Sequence, residues 1–244
     1  MKGRGPVALI LGVVMIGFGI GASVLIVKDV NDPSPVPTPT ASSPFCTVAG
    51  EDTKGKKSFP SEPCLQIDKE KVYLATMRTS MGPVTLLLDP KLAPRSVNNF
   101  VFLARQGFFD NTVFHLVQNV VNDDPEKDHA IVQGGDPTGT GVGGPGYTFG
   151  EPPPPITRYI RGSVVMARRA APNTNGSQFF IVVRDWEELE PQYTFMGIVA
   201  NEESMAILDE MVTARGSAAR GGDGIAPEPP IRLFAVTIEE KDRS

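Results

Sequence analysis

Few side chains in this sequence have types and spacings that invite a chemical reading, and most of the readings fail on inspection. Two histidines and two cysteines cannot furnish a zinc finger, and they argue against a catalytic zinc site. Gly50-Glu51-Asp52-Thr53-Lys54-Gly55-Lys56 imitates a phosphate-binding loop. The next position needs Ser or Thr for magnesium and holds Lys57, no apolar strand precedes it, and Pro60 forbids the helix that should follow. Gly139, Gly141 and Gly144 match a dinucleotide fingerprint, yet Pro145 follows at once where a helix should open. A net charge of −5 argues against a general nucleic-acid binder. Most metal, thiol and nucleotide chemistry is excluded.

The surviving candidates need elements to position them, and the chain divides readily. Residues 7–27 are an uncharged run of 21, about 31 Å as a helix and close to the ~30 Å hydrocarbon thickness. Lys2 and Arg4 precede it, so the positive-inside bias places residues 1–6 in the cytoplasm and everything after Lys28 outside. The competing reading is a cleaved signal, whose apolar part is usually shorter. Residues 31–44 hold five prolines with Ser and Thr and read as an extended stalk. Cys46 and Cys64 then flank a short segment within 28–67; outside the membrane two such cysteines are expected to pair, two free thiols being the alternative.

From residue 68 to the end the pattern is that of one soluble domain, expected to be monomeric. Gly 25 and Pro 23 among 244 residues make the chain turn-rich, against a helical bundle. Runs 72–79 and 84–89 flank a hairpin signal at Ser80-Met81-Gly82-Pro83. Pro94 opens a helix with Val97, Phe100, Val101 and Ala104 on one stripe. Further strands are expected at 112–117, 131–132, 162–167, 179–183, 194–200 and 231–239. A second helix at 202–212 turns Met205, Leu208 and Val212 inward. About eight strands and two helices imply a closed antiparallel barrel.

Within that domain Asn98-Asn99-Phe100, Phe114-His115, Gln133-Gly134-Gly135-Asp136-Pro137 with the following TGTGVGGPGY, and Pro172-Asn173-Thr174-Asn175-Gly176-Ser177-Gln178-Phe179-Phe180 stand in order. These motifs closely resemble the cyclophilin family of peptidyl-prolyl isomerases, over residues 71–240. The resemblance implies an eight-stranded cyclophilin barrel and isomerisation of X-Pro bonds in polypeptides. Such bonds turn over in tens to hundreds of seconds unaided. A catalyst needs an apolar pocket for the pyrrolidine ring, an anchor for the flanking backbone, and a donor to the proline nitrogen as it pyramidalises. No nucleophile, metal or cofactor is required.

The resemblance further implies roles for single residues. Phe180 and Leu189 line the proline pocket with Phe114, and Ile131 stands where the family often has methionine; the plainer reading makes Phe180, Leu189 and Ile131 barrel core. Gln133 matches the glutamine that positions substrate, or else it is a loop-capping amide. Tyr193 falls where the family has histidine or tyrosine and would donate from the rim, unless it is an ordinary half-buried strand residue. His115 reads as a core histidine.

Four departures qualify the resemblance. The family reads Phe-His-Arg, the arginine being the catalytic donor, whereas this chain has Leu116. Sixteen residues separate Leu116 from Gln133 where the family commonly has about seven, which makes 118–130 an acidic insertion. Arg168 and Arg169 replace a small polar segment lining the groove; either they reach the pocket and substitute in part, Arg168 being the one placed to meet substrate, or they are a solvated charge pair, which is the preferred reading. Trp186 is displaced from the family's rim position. Two readings follow: an exported, membrane-tethered isomerase of reduced activity that assists protein folding, or a catalytically degenerate proline-binding module of the envelope. A purely structural envelope domain is the weakest third.

Overall fold

The computed structural model describes residues 46–121, 123–124, 128–152, 156–186, 188–219 and 224–243. The expected membrane span and stalk lie outside them; among the described residues no helix is long and apolar enough to cross a membrane.

Strands β1 (Lys71–Thr79) and β2 (Gly82–Leu88) form the expected hairpin. Thr79 pairs with Gly82 across Ser80 and Met81, and the Thr79 hydroxyl donates to the Gly82 carbonyl at 2.6 Å. Pro83 therefore sits inside the second strand, opposite Arg78, rather than in the turn. Helix α1 (Pro94–Arg105) has proline at its start and buries the expected stripe, but Asn98 and Asn99 are buried beside it. Ala93 cannot cap this helix. Glu151, far along the chain, does so: its carboxylate accepts from the backbone N–H of Ser96 at 2.6 Å and of Arg95 at 3.3 Å.

The single strand expected at 112–117 is two, β3 (Thr112–Phe114) and β4 (Leu116–Val120). β3 pairs with β11 (Ile231–Asp242), whereas β4 pairs with β5 (His129–Gly134). The exchange of partners falls at His115, whose N–H donates to the Gln133 carbonyl at 3.1 Å. β6 (Ser163–Met166), β7 (Phe179–Arg184) and β8 (Phe195–Val199) follow. Helix α2 (Glu202–Met211) is capped by Asn201, which accepts from Ser204 N at 2.9 Å. Two short strands, β9 (Gly216–Ala218) and β10 (Ile225–Pro227), precede β11.

The sheet has eleven strands in the order β3-β11-β1-β2-β8-β6-β7-β5-β4-β10-β9. This corrects the expected closed eight-stranded barrel. β3 and β9 are edges not bonded to each other, so the sheet is open and curled. The count rises because one run breaks at His115 and a three-residue pair, β9 and β10, lies in a glycine-rich stretch without strand periodicity.

Residues alternate between two apolar faces, as the period of a strand requires. Val132, Phe179, Ile181 and Val183 face the main core, with Phe100, Phe109 and helix α1. Ile131, Phe180 and Val182 face a smaller second cluster with Leu116 and Leu189. The uninterrupted apolar run of β7 thus has both faces covered. Ahead of β1, Cys46 and Cys64 are joined by a disulfide. The loop that this bond closes lies against the domain: Phe59 packs on Phe102 with ring centroids 5.2 Å apart, and its N–H donates to the Pro145 carbonyl at 2.8 Å.

Candidate active site

The second cluster is the floor of a cavity of about 490 Å³. Register explains which side chains meet there. Leu116 lies opposite Gln133, Gln133 opposite Phe180, and Phe180 opposite Val165. Directly opposed residues share a face, so one cross-strand row carries Leu116, Gln133 and Phe180 to the same opening, and all three line it. Ile131 and Leu189 complete the apolar floor. Tyr193 stands edge-on to Phe180, centroids 5.6 Å apart. Its main chain is fixed by Tyr159, whose hydroxyl donates to the Tyr193 carbonyl at 2.7 Å and accepts from its N–H at 2.8 Å. Burial pushes the Tyr159 phenol up to about 12. Burial also raises Tyr193, against the pull of the Arg168 charge, so both phenols are neutral donors near neutral pH.

The facing wall is made of loops and held by polar side chains. Asp136 is fully buried. One of its oxygens accepts from the N–H and hydroxyl of Thr138, both at 2.7 Å. The other accepts from the N–H groups of Thr140 at 3.1 Å and Gly143 at 3.0 Å. Burial alone would raise this carboxyl, but the bonds from Thr138 and Gly143 and the nearby His115 outweigh it and hold it below its ordinary value. Gly143 is required by closeness, since a Cβ there would lie 2.0 Å from an Asp136 oxygen.

Gln178 donates to the carbonyls of Gly141 and Gly143 at 3.0 and 2.8 Å and accepts from Gln133 at 2.9 Å. The row of three is thereby tied to the loop wall. His115 is buried, with its Nε2 3.4 Å from the Gln133 amide nitrogen. Burial lowers its pKa, against Asp136 and Gln178, so it is neutral at pH 7. Buried Asn99 donates to the Gly176 carbonyl at 2.7 Å and accepts from the Tyr147 hydroxyl, which links helix α1 to the same wall.

This arrangement can hold an apolar ring against Phe180 and offer neutral donors beside it. Residues 74–236 match the cyclophilin type peptidyl-prolyl cis-trans isomerase family. The chain belongs to the cyclophilins. A probable peptidyl-prolyl cis-trans isomerase B of Mycobacterium leprae is 36% identical over 177 residues, covering 68% of this chain and 56% of that protein. The chain thus spans little more than half the length of that relative. A probable isomerase A of the same species is 34% identical over 180 residues, covering 67% of this chain and 91% of the other. Among solved structures, a cyclophilin type isomerase of Cryptosporidium parvum, crystallised in the presence of the dipeptide Ala-Pro, superposes with a TM-score of 0.56 at 28% identity. That match covers 69% of this chain and 99% of the other.

As a cyclophilin, this chain brings together Gln133, Phe180, Tyr193, Ile131, Leu189 and Arg168 at one cavity. Phe114 is the exception. It belongs to β3, which pairs with β11 across from the core, and its ring packs on Phe179 at 6.3 Å rather than lining the opening. Trp186, expected away from the family's rim position, nevertheless lines the cavity. An isolated bridge to Tyr159 and a stack on the His129 ring, 4.3 Å between centroids, bring it to the cavity.

The two arginines are not an equivalent solvated pair. Arg168 lies over the Tyr193 ring at 5.2 Å and donates to Gln192 and to the carbonyls of residues 169–171. Part of the insertion continues the β4–β5 ladder, with Asn119 opposite Ala130 and Val120 opposite His129. Among the described residues none of 118–130 lines the cavity. Sequence reasoning passed over Gln178 and Asp136 as working parts of the wall. Their only signal was membership of the two motifs already quoted.

Proposed function

We propose that this cyclophilin binds proline-containing segments of polypeptides outside the membrane to which residues 7–27 tether it, and isomerises their X-Pro bonds slowly. The observation that carries this is the cross-strand row: Phe180 and Gln133 keep their places at the cavity, while the third place holds Leu116. The pyrrolidine ring rests on Phe180, Ile131 and Leu189; the Gln133 amide and Tyr193 hydroxyl hold the flanking backbone. The Ala-Pro dipeptide used with the Cryptosporidium parvum structure supports a proline ligand of this kind. At position 116 an alkyl group supplies no donor to the pyramidalising nitrogen, and removing one preorganised donor typically costs on the order of 10²–10³ in rate.

Leu116 is also the observation that favours a second reading, a holding module that binds proline segments with negligible turnover. A coupled isomerisation assay on the full-length chain in detergent micelles separates them. Turnover clearly above the uncatalysed rate, roughly 10²-fold below an arginine-bearing cyclophilin, is expected; a rate equal to the uncatalysed one with peptide binding intact leaves only the holding module.

A further inference from the structure

We propose that the loop wall selects proline segments carrying a carboxylate within two residues of the proline, and that Arg169 reads it. This rests on the reading above, that the cavity takes proline-containing polypeptide. Among the described residues lining the cavity there is no Asp, Glu or Lys; Arg168 and Arg169 are its charged side chains. On a chain of net charge −5 a cationic mouth is a local feature, not a consequence of overall composition.

The two arginines divide the work. Arg168 spends its guanidinium internally, on Gln192 and three successive carbonyls of its own loop, and on the Tyr193 ring. The Arg169 main chain is fixed by that same bonding and by Thr174, which accepts from its N–H at 3.0 Å and donates to its carbonyl at 3.3 Å. The Arg169 side chain is exposed. Among the described residues it has no hydrogen-bond or ion-pair partner. A planar guanidinium on a fixed main chain, beside a second positive charge, is suited to bidentate capture of a carboxylate. An amide or ammonium group at the same place gains nothing or is repelled.

Trp186 lines the cavity and is the one tryptophan of the chain, so its fluorescence reports binding independently of catalysis. Full-length protein is titrated with Ala-Pro-containing peptides bearing Glu, Gln or Lys either two residues before or directly after the proline. At low ionic strength the Glu peptide is expected to bind roughly threefold tighter than the Gln peptide at one of the two positions, with the Lys peptide weakest, as a largely exposed pair allows. The gap should close at about 0.5 M salt, collapse in Arg169→Ala, and invert in Arg169→Glu; Arg169→Lys should restore part of it.

Equal affinities of Glu and Gln peptides at both positions would overturn the proposal, as would a preference that survives Arg169→Ala. If no peptide of any charge perturbs Trp186, the reading of the cavity itself fails first and this inference falls with it.

Discussion

The two walls of the cavity are built on different physical principles. The floor belongs to β4, β5 and β7, where Leu116, Ile131 and Phe180 are placed by strand register and held by apolar contact. The opposite wall, around Gly141, Gly143 and Tyr147, has no regular structure. It is held from behind by the Asp136 carboxylate, the Gln178 and Asn99 amides, and the disulfide-closed segment through Phe59. Gly146 shows how close that last contact is: at φ +92° a Cβ would lie 2.4 Å from Ser58 Oγ and 2.7 Å from the Phe59 carbonyl. A strand wall resists anything that keeps its volume. A loop wall depends on the state of a few polar groups.

The sharpest break of this comparison pairs Phe180→Ala with Asp136→Ala. Phe180→Ala should cost about 3–5 kcal/mol of stability by leaving a cavity and abolish peptide binding, with little dependence on pH. Asp136→Ala should cost about 3 kcal/mol or more by leaving the N–H groups of Thr138, Thr140 and Gly143 without their acceptor.

The cost of Asp136→Ala should shrink in acid. A carboxyl whose folded pKa is depressed contributes stability that is present above its unfolded value, near 3.9, and lost as pH falls through the folded value. His115, depressed by burial, acts in the same sense and earlier, its contribution being present above about 6.5 and lost as pH falls through its folded pKa. Urea denaturation from pH 7 to pH 3 checks both. A cost of Asp136→Ala independent of pH would show that the loop wall does not rest on that charge.

Opening the disulfide comes next. Closing a loop of sequence separation 18 contributes about 3 kcal/mol by the chain entropy it removes. Cys46→Ser with Cys64→Ser should lower stability by that order and raise KM more than it lowers kcat, because Phe59 then holds Pro145 less firmly. An unchanged KM would separate the segment from the site.

Leu116→Arg tests the strand wall at the position where the family resemblance places the catalytic arginine. With Gln133 alongside and no described residue of the insertion in the cavity, a gain of at least about tenfold in kcat/KM is expected, equivalent to ~1.4 kcal/mol. No gain in a folded variant would move the donor elsewhere. The smallest effect belongs to Tyr193→Phe. The ring keeps its contacts with Phe180 and Arg168 and only the hydroxyl is lost, so kcat/KM should fall about threefold.

Legibility followed the same division. Strands β1, β2 and β7 and the inward stripes of both helices could be read from apolar periodicity, because each is a local pattern meeting a nearby surface. Phe180 and Gln133 were found through their motifs, and register then carried them to one opening. The closed barrel was misjudged because the break at His115 leaves no trace in an apolar run from Thr112 to Val117. The resemblance places Phe114 in the pocket, although a partner exchange one residue later turns it to the core. Counting residues does not show that Trp186 reaches the cavity; a bridge to Tyr159 and a stack on His129 bring it there.

The sequence by itself determined both helices and most of the longer strands, which face of each is apolar, and that position 116 holds an alkyl group. Periodicity and side-chain type are properties of short stretches, and burial acts on them directly. Only the tertiary structure decided how the loop wall stands. Glu151 caps α1, Asn99 holds Gly176, Phe59 holds Pro145, and Arg168 is bound while Arg169 is left open. Each of the first three is a hydrogen bond between groups tens of residues apart. A buried N–H or carbonyl must find a partner, but nothing local to the chain says which one it will be.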